Sequence, residues 1–158
     1  MSSLYSARNV CDFLPHRPPM VLIERIEQYR TDFLEASVSI SELSPFYDAA
    51  LALVPNYVGI EYMAQTVAAL AGIEAEQRGE PIRTGFLLGS RKLTLSQAGF
   101  AAGQRYHIRV ARLYQEDSGL AVFDCQICDA SQQQIASANI NVFQPQQTDA
   151  YLAGELSL

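Results

Sequence analysis

The sequence predicts an α+β domain in which an antiparallel sheet wraps around one long buried helix. Three observations point there. From Pro55 to Gly79 the chain reads as a helix whose apolar residues run nearly all the way round, and a helix without a polar face is buried on most sides. Four strand-like segments follow it: RTGFLLGSRKLTL, QRYHIRVARLYQ, LAVFDCQICDA and QQIASANINVFQ. Two more precede it, around Met20 to Ile40. At 158 residues the chain suits a single domain over 1–158, its core at about 10–145, and is short for two.

Taken in order, residues 7–14 read as a short helix ended by Pro15. From Met20, MVLIERIEQYR is strand-like; Thr31 and Asp32 make a polar step, and FLEASVSI completes a hairpin. Residues 42–54 contain Pro45 and read as loop with room for a helical turn. Asn56 is a good N-cap for the long helix, and Gly79 with Pro81 a stop. Turn signals at AGFAAG, EDSG and ASQQQ separate the later strands. In QRYHIRVARLY, Tyr106, Ile108, Val110 and Tyr114 face one way and His107, Arg109 and Ala111 the other, as in a half-buried strand. The residues after Pro145 read as a loosely held tail.

Apolar residues make up 49% of the chain and charged ones 18%, which favours a well-buried core or a large subunit interface over disorder. A formal charge of −6 argues against nucleic-acid binding, which needs a basic surface. Arg78, Arg83, Arg91, Lys92, Arg105, Arg109 and Arg112 nevertheless crowd the second half. They form either an ordinary solvated face or a basic patch that docks an acidic carrier protein or a phosphate-bearing arm, with Arg83, Arg91 and Lys92 as its docking residues. Asn56, Glu61, Gln65 and Thr66 break up the long helix too early for a membrane span. The N-terminus lacks the basic and long apolar regions of a signal peptide, so a reducing, cytoplasmic location is expected. Three cysteines do not make a disulfide framework. Cys125 and Cys128 have CxxC spacing, but on a strand that offset points them to opposite faces, so no metal or redox pair is expected.

The residues able to do acid–base work are few. Glu61 is the only formally charged residue between Val54 and Ile73. Near a helix N-terminus it either faces solvent with the help of the helix dipole, or sits in an apolar slot that raises its pKa for catalysis. Of the two histidines, His107 falls on the polar side of a strand and reads as surface. His16 lies in LPHRPPM, a loop stiffened by prolines, and is a candidate for the site as well as for a structural hydrogen bond. No Gly-rich phosphate loop, no nucleophile elbow and no metal-ligand spacing occurs, so no cofactor is expected.

LPHRPPMVLIERI, IEYMAQ and GSRKLTLSQAGFAAGQRYHIRV together resemble the 3-hydroxyacyl-acyl-carrier-protein dehydratases of bacterial fatty acid synthesis. The divergent branch found in aryl-polyene-type clusters is a closer likeness, through GIEYMAQTVAALAG, FLLGSRKL and the late NINVFQP. The resemblance covers about residues 10–145. It implies a hot-dog fold, usually dimeric with acyl sites at the subunit interface, and β-elimination of water from an acyl group on the phosphopantetheine arm of an acyl carrier protein. It places Glu61 at the acid position of the helix. It makes the helix start at Asn56, Tyr57 and Gly59 the oxyanion and substrate-binding turn.

The sequence departs from that family in two places. The usual Gly-His-Phe segment upstream of the helix is replaced by SPFYDAALALVP, which has no histidine, and Asn56 replaces the glycine of a Pro-Gly helix start. His16 then serves as base or orienter, with Tyr47 or Asp48 as possible stand-ins. Otherwise the chain is a degenerate subunit that supports an active partner, in a homodimer or heterodimer. Thioester hydrolysis, with Glu61 activating water, is a further alternative.

Overall fold

Alternation of apolar and polar residues over several long segments dictates the architecture. The computed structural model describes residues 2–144; the tail expected after Pro145 lies outside the described residues. Helix α1 (Ser2–Ser6) and a 3-10 turn (Val10–Phe13) precede the hairpin β1 (Arg25–Arg30) and β2 (Phe33–Ser39). The short strand β3 (Leu53–Pro55) leads through a 3-10 turn (Asn56–Val58) into α2 (Gly59–Gln77). Strands β4 (Phe86–Leu95), β5 (Gly99–Ala101), β6 (Arg105–Gln115), β7 (Leu120–Cys128) and β8 (Gln134–Phe143) follow.

Six strands form one sheet in the order β1-β2-β6-β7-β8-β4, every pair antiparallel. The sheet curls round α2, giving the hot-dog arrangement. Strands β3 and β5 make a separate two-stranded ribbon at the helix start. Inward residues such as Ile108, Val110, Cys125, Ile127 and Ile140 meet Met63, Leu70 and Ile73 of α2, all fully buried in one contiguous cluster. Burying a side chain of that size stabilises by about 1.5–3 kcal/mol.

The helix is covered on most of its circumference, as its all-round apolar character requires. One stripe is left half-buried, formed by Glu61, Ala64, Ala68, Ala71 and Glu74. Beside that stripe, one position on from Ala71, Gly72 meets the 3-10 turn so closely that an added Cβ would lie 1.9 Å from the Phe13 carbonyl oxygen. Only glycine permits that approach. Strand β4 pairs with β8 alone and ends the sheet, and it exposes Leu87, Leu88 and Leu93.

Several boundaries differ from the sequence reading, each for a local reason. Of the helix expected over 7–14, only a 3-10 turn at Val10–Phe13 forms, started by the Asn9 side chain, which accepts the Cys11 N–H (2.9 Å). The first strand begins at Arg25, not Met20, since the N–H groups of Leu22 and Ile23 are taken by the Gln65 side chain. Asn56 does not cap the long helix. It lies inside the 3-10 turn, where its amide donates to the Gln97 carbonyl (3.0 Å). AGFAAG is more than a turn, because Gly99–Ala101 pair with β3. Tyr114, expected inside, is 52% exposed because a bulge between Arg112 and Tyr114 shifts the register of β6.

Replacing Gly72 by Ala forces the helix away from the Phe13 backbone. We expect a melting temperature lower by about 5–10 °C, and a change below about 2 °C for Gly89→Ala, which meets nothing within 4 Å. Circular-dichroism melts check this; equal shifts for the two would refute the close-contact account.

Candidate active site

The uncovered alanine stripe of α2 floors a cleft of about 880 Å³ that runs the length of the helix. Ala121, Phe123 and Val142, from the inner faces of β7 and β8, make its apolar wall, and Phe86 and Leu87 its rim on β4. His16 and Glu61 line one end; Glu74 and Arg112 line the other.

At the first end, His16 Nε2 stands 3.8 Å from Glu61 Oε2. Their side chains are 30% and 40% exposed, so Glu61 is not sealed in an oily slot as expected. It opens onto the cleft. The Gln65 Nε2 group donates to Glu61 Oε2 (2.9 Å) and to the Met20 carbonyl (2.7 Å), while Gln65 Oε1 accepts the Leu22 N–H (2.8 Å). Gln65 is fully buried, and this bonding satisfies both donors and the acceptor of its amide. The sequence reading counted Gln65 only as a polar interruption. Its place one turn after Glu61, on a helix buried nearly all round, was the available signal.

Three hydrogen bonds hold His16 in its loop. One Arg17 amino group donates to the carbonyls of Cys11 (3.3 Å), Leu14 (2.9 Å) and His16 itself (2.7 Å). The His16 Nδ1 atom is buried, with no hydrogen-bond partner among the described residues. His107 lies on the outer face of the sheet, bonded to Glu35 (2.9 Å), which also accepts from Arg109 (3.0 Å). It takes no part in the cleft.

The helix start narrows the expected oxyanion turn. The Asn56 N–H donates to the Ala98 carbonyl (3.0 Å), and the Gly59 N–H to the carbonyls of Asn56 and Tyr57. Both amides are engaged. Gly59 is buried under Phe100, whose ring would lie 3.0 Å from an added Cβ; its role is packing. The Tyr57 N–H lies in a first turn that has no intrahelical acceptor for it, but Tyr57, like Asn56 and Gly59, is not among the residues that line the cleft. The other stand-ins do not reach the cleft. Tyr47 packs against the core, and the Asp48 carboxylate accepts from Ala50 N (2.9 Å) and Leu51 N (3.2 Å) in its own Asx turn.

The basic cluster read from the sequence is dispersed. Arg78 and Arg83 pair with Glu80, Arg105 with Glu24 and Glu27, and Arg109 with Glu35. Arg83 lines the cleft, away from Arg91 and Lys92, which sit exposed on edge strand β4 without an acidic partner among the described residues. Arg112 turns inward. It bonds Glu74 in bidentate fashion (2.7 Å and 2.7 Å), bonds Asp32, and lies over the Phe123 ring. Burial works against its charge, but Glu74 and then Asp32 outweigh that and raise its pKa above the ordinary value. Cys125 faces the core and Cys128 the outer side beneath Arg109, and burial raises the pKa of both thiols. The described residues contain no cluster suited to a metal ion and no helix long and apolar enough to cross a membrane.

A family model described as ApeP-like, ApeP dehydratase, matches residues 8–153. Among solved structures, a chain of the dehydratase heterocomplex ApeI:P from Xenorhabdus doucetiae is similar with a TM-score of 0.85 at 26% identity, over 94% of this chain and 99% of that one. The smu.793 protein of Streptococcus mutans UA159, solved bound to acetyl CoA, gives 0.62 at 10% identity over 83% and 94% of the two chains. The PaaI protein of E. coli, from the phenylacetic acid degradation operon, gives 0.59 at 11% over 75% and 80%. The last two likenesses bear on the fold alone. No curated protein sequence matches the chain.

Gln65→Leu keeps the volume but strands the Leu22 amide and the Met20 carbonyl. We expect a loss of about 1–3 kcal/mol, read from the urea midpoint; an unshifted midpoint would show that the amide is not holding this segment.

Proposed function

The chain belongs to the ApeP-like dehydratase family, and from that premise we propose that it dehydrates 3-hydroxyacyl chains carried on the phosphopantetheine arm of an acyl carrier protein, in aryl-polyene-type synthesis. One observation supports the assignment of roles above all others: a histidine and a carboxylate 3.8 Å apart at one end of an apolar cleft. Elimination of water needs a base for the Cα proton and an acid for the departing hydroxyl, both within reach of adjacent carbons. His16 Nε2 takes the Cα proton, the electron pair is held as an enolate on the thioester oxygen, and it returns to form the Cα–Cβ double bond as the Cβ–O bond breaks. Glu61, as the general acid, delivers the proton that turns the leaving hydroxyl into water. The thioester oxygen, negative as the Cα proton departs, is stabilised by the positive end of α2.

In this reading Gln65 is a positioning residue. It fixes the Glu61 carboxylate and ties the chain just beyond His16 to the same helix turn. The family is one of dehydratases, so dehydration is favoured over thioester cleavage.

The X. doucetiae relative is a heterocomplex, and by analogy we assign this chain a related hot-dog subunit as partner. The unpaired edge of β4 and its exposed Leu87, Leu88 and Leu93 are consistent with that. Arg91 and Lys92, the cations of the second half left without acids, are assigned to docking the acidic carrier; Arg83, paired with Glu80, is not.

Glu61→Gln and His16→Ala, each assayed alone and with the partner subunit, are expected to lower formation of the enoyl thioester at least about 100-fold, with melting temperatures close to the parent's. Activity within a few-fold of the parent in both variants would refute the roles. Arg91→Glu with Lys92→Glu is expected to raise KM about tenfold for a carrier-bound substrate and to leave KM for the pantetheine-linked form unmoved, with a weaker salt dependence. Equal effects on both substrates would remove these residues from the docking surface.

A further inference from the structure

The cleft has a second end that the chemistry of elimination does not use. We propose that the Arg112–Glu74 ion pair is the stop of the acyl channel and determines the longest chain the enzyme accepts. The proposal rests on the reading of the cleft as the acyl site. It adds the residues that set chain-length specificity.

The geometry is that of a measured slot. Between Glu61 and Glu74 the helix advances about 20 Å at ~1.5 Å per residue. Ala64, Ala68 and Ala71 floor that interval, and Ala121, Phe123 and Val142 wall it. Short side chains along one helix face leave the width of an extended hydrocarbon, with nothing polar between the ends. The apolar run gives way there to a desolvated charge pair, beyond which the lining turns polar with Gln77, Arg78 and Glu80. Arg112 and Glu74 are 14% and 19% exposed and joined by two bonds of 2.7 Å, and Arg112 is held a second time by Asp32. A hydrocarbon end offers neither partner a bond in exchange, so it cannot part them.

Charge fixes which way the substrate lies. The far end is lined by Glu74, Glu80, Glu116 and Asp117 against Arg78, Arg83 and Arg112, and each of these arginines is already paired with an acid. That end does not suit the phosphate of a carrier arm. Beside His16, by contrast, Arg17 is exposed and has no acidic partner among the described residues. The arm therefore enters at the His16 end and the tail points to Arg112.

Sequence phase supports a purpose for Arg112. In β6 the inward positions are Tyr106, Ile108 and Val110, and the next inward position is Arg112. The bulge follows directly, between Arg112 and Tyr114. An arginine on the apolar face of a central strand is costly to desolvate, and on the lining of the cleft it ends the apolar run.

The test is a chain-length profile of dehydration, measured with carrier-bound 3-hydroxyacyl thioesters shorter and longer than the channel, with the partner subunit present. For each variant the readout is the ratio of kcat/KM on the longest chain to that on the shortest. Glu74→Ala combined with Arg112→Leu is expected to raise this ratio about tenfold or more over the parent. Ala71→Leu, which fills the channel before the stop and leaves the ion pair intact, is expected to lower it by about as much. Ratios equal to the parent's in the folded variants overturn the stop. Should the double variant fail to fold, an unchanged ratio in Ala71→Leu overturns it alone. A parent that dehydrates no chain of any length brings down the functional reading as well, so the two failures are distinguishable.

Discussion

A single buried amide organises the site. Gln65 reaches sideways from α2 to bond the Met20 carbonyl and the Leu22 N–H, and reaches along the helix to Glu61. Without it, a stretch of extended backbone would lie against an apolar helix with its polar groups unmet, which costs about 1–3 kcal/mol for each such group. The same bonds explain why β1 starts late. Backbone groups that would have extended the ladder are committed to the helix, so the proline-rich loop before them is drawn against the helix start. His16 reaches Glu61 because the chain on its C-terminal side is held there, and because Arg17 gathers the carbonyls on its N-terminal side.

The cleft follows from the disparity between two neighbouring stripes of α2. Where Gly72 meets the Phe13 backbone, contact is as close as atoms allow. Along the next stripe, alanines leave a gap the sheet does not fill, with Phe86 and Leu87 of β4 at its rim. Small residues thus do opposite things side by side on one helix. A glycine closes one stripe and three alanines keep the next open.

Much of this was legible in the sequence. The buried helix, the hairpin before it and the strands after it follow from periodicity, since inward residues such as Ile108, Val110 and Ile127 repeat at the spacing of a pleated strand. The carboxylate and histidine could be picked out because so few titratable groups occur near the helix. What could not be read was anything set by partners distant in sequence. Gln65 acts through the main chain of residues more than forty positions away. The basic cluster dissolved for the same reason: Arg105, Arg109 and Arg112 pair with Glu24, Glu35 and Asp32 from the first hairpin, whose proximity only the sheet order supplies. The engaged amides of Asn56 and Gly59 likewise depend on how the helix start meets Ala98 and Phe100.

In the proposed roles, the upstream histidine of the family is relocated and not simply lost. A segment that had merely lost its histidine would leave the carboxylate facing an unfilled gap. Here SPFYDAALALVP is a structured piece of its own, with the Asp48 carboxylate closing an Asx turn, Phe46 and Ala52 in the left-handed region, and Tyr47 packed on the core. None of its side chains lines the cleft. The imidazole that does line it comes from the other side of the helix start, on a loop secured through Arg17 and Gln65. An acid and a base that approach a substrate's adjacent carbons need only a common distance, not a common chain order. The 3.8 Å between His16 and Glu61 supplies that distance, with the apolar cleft opening beside it.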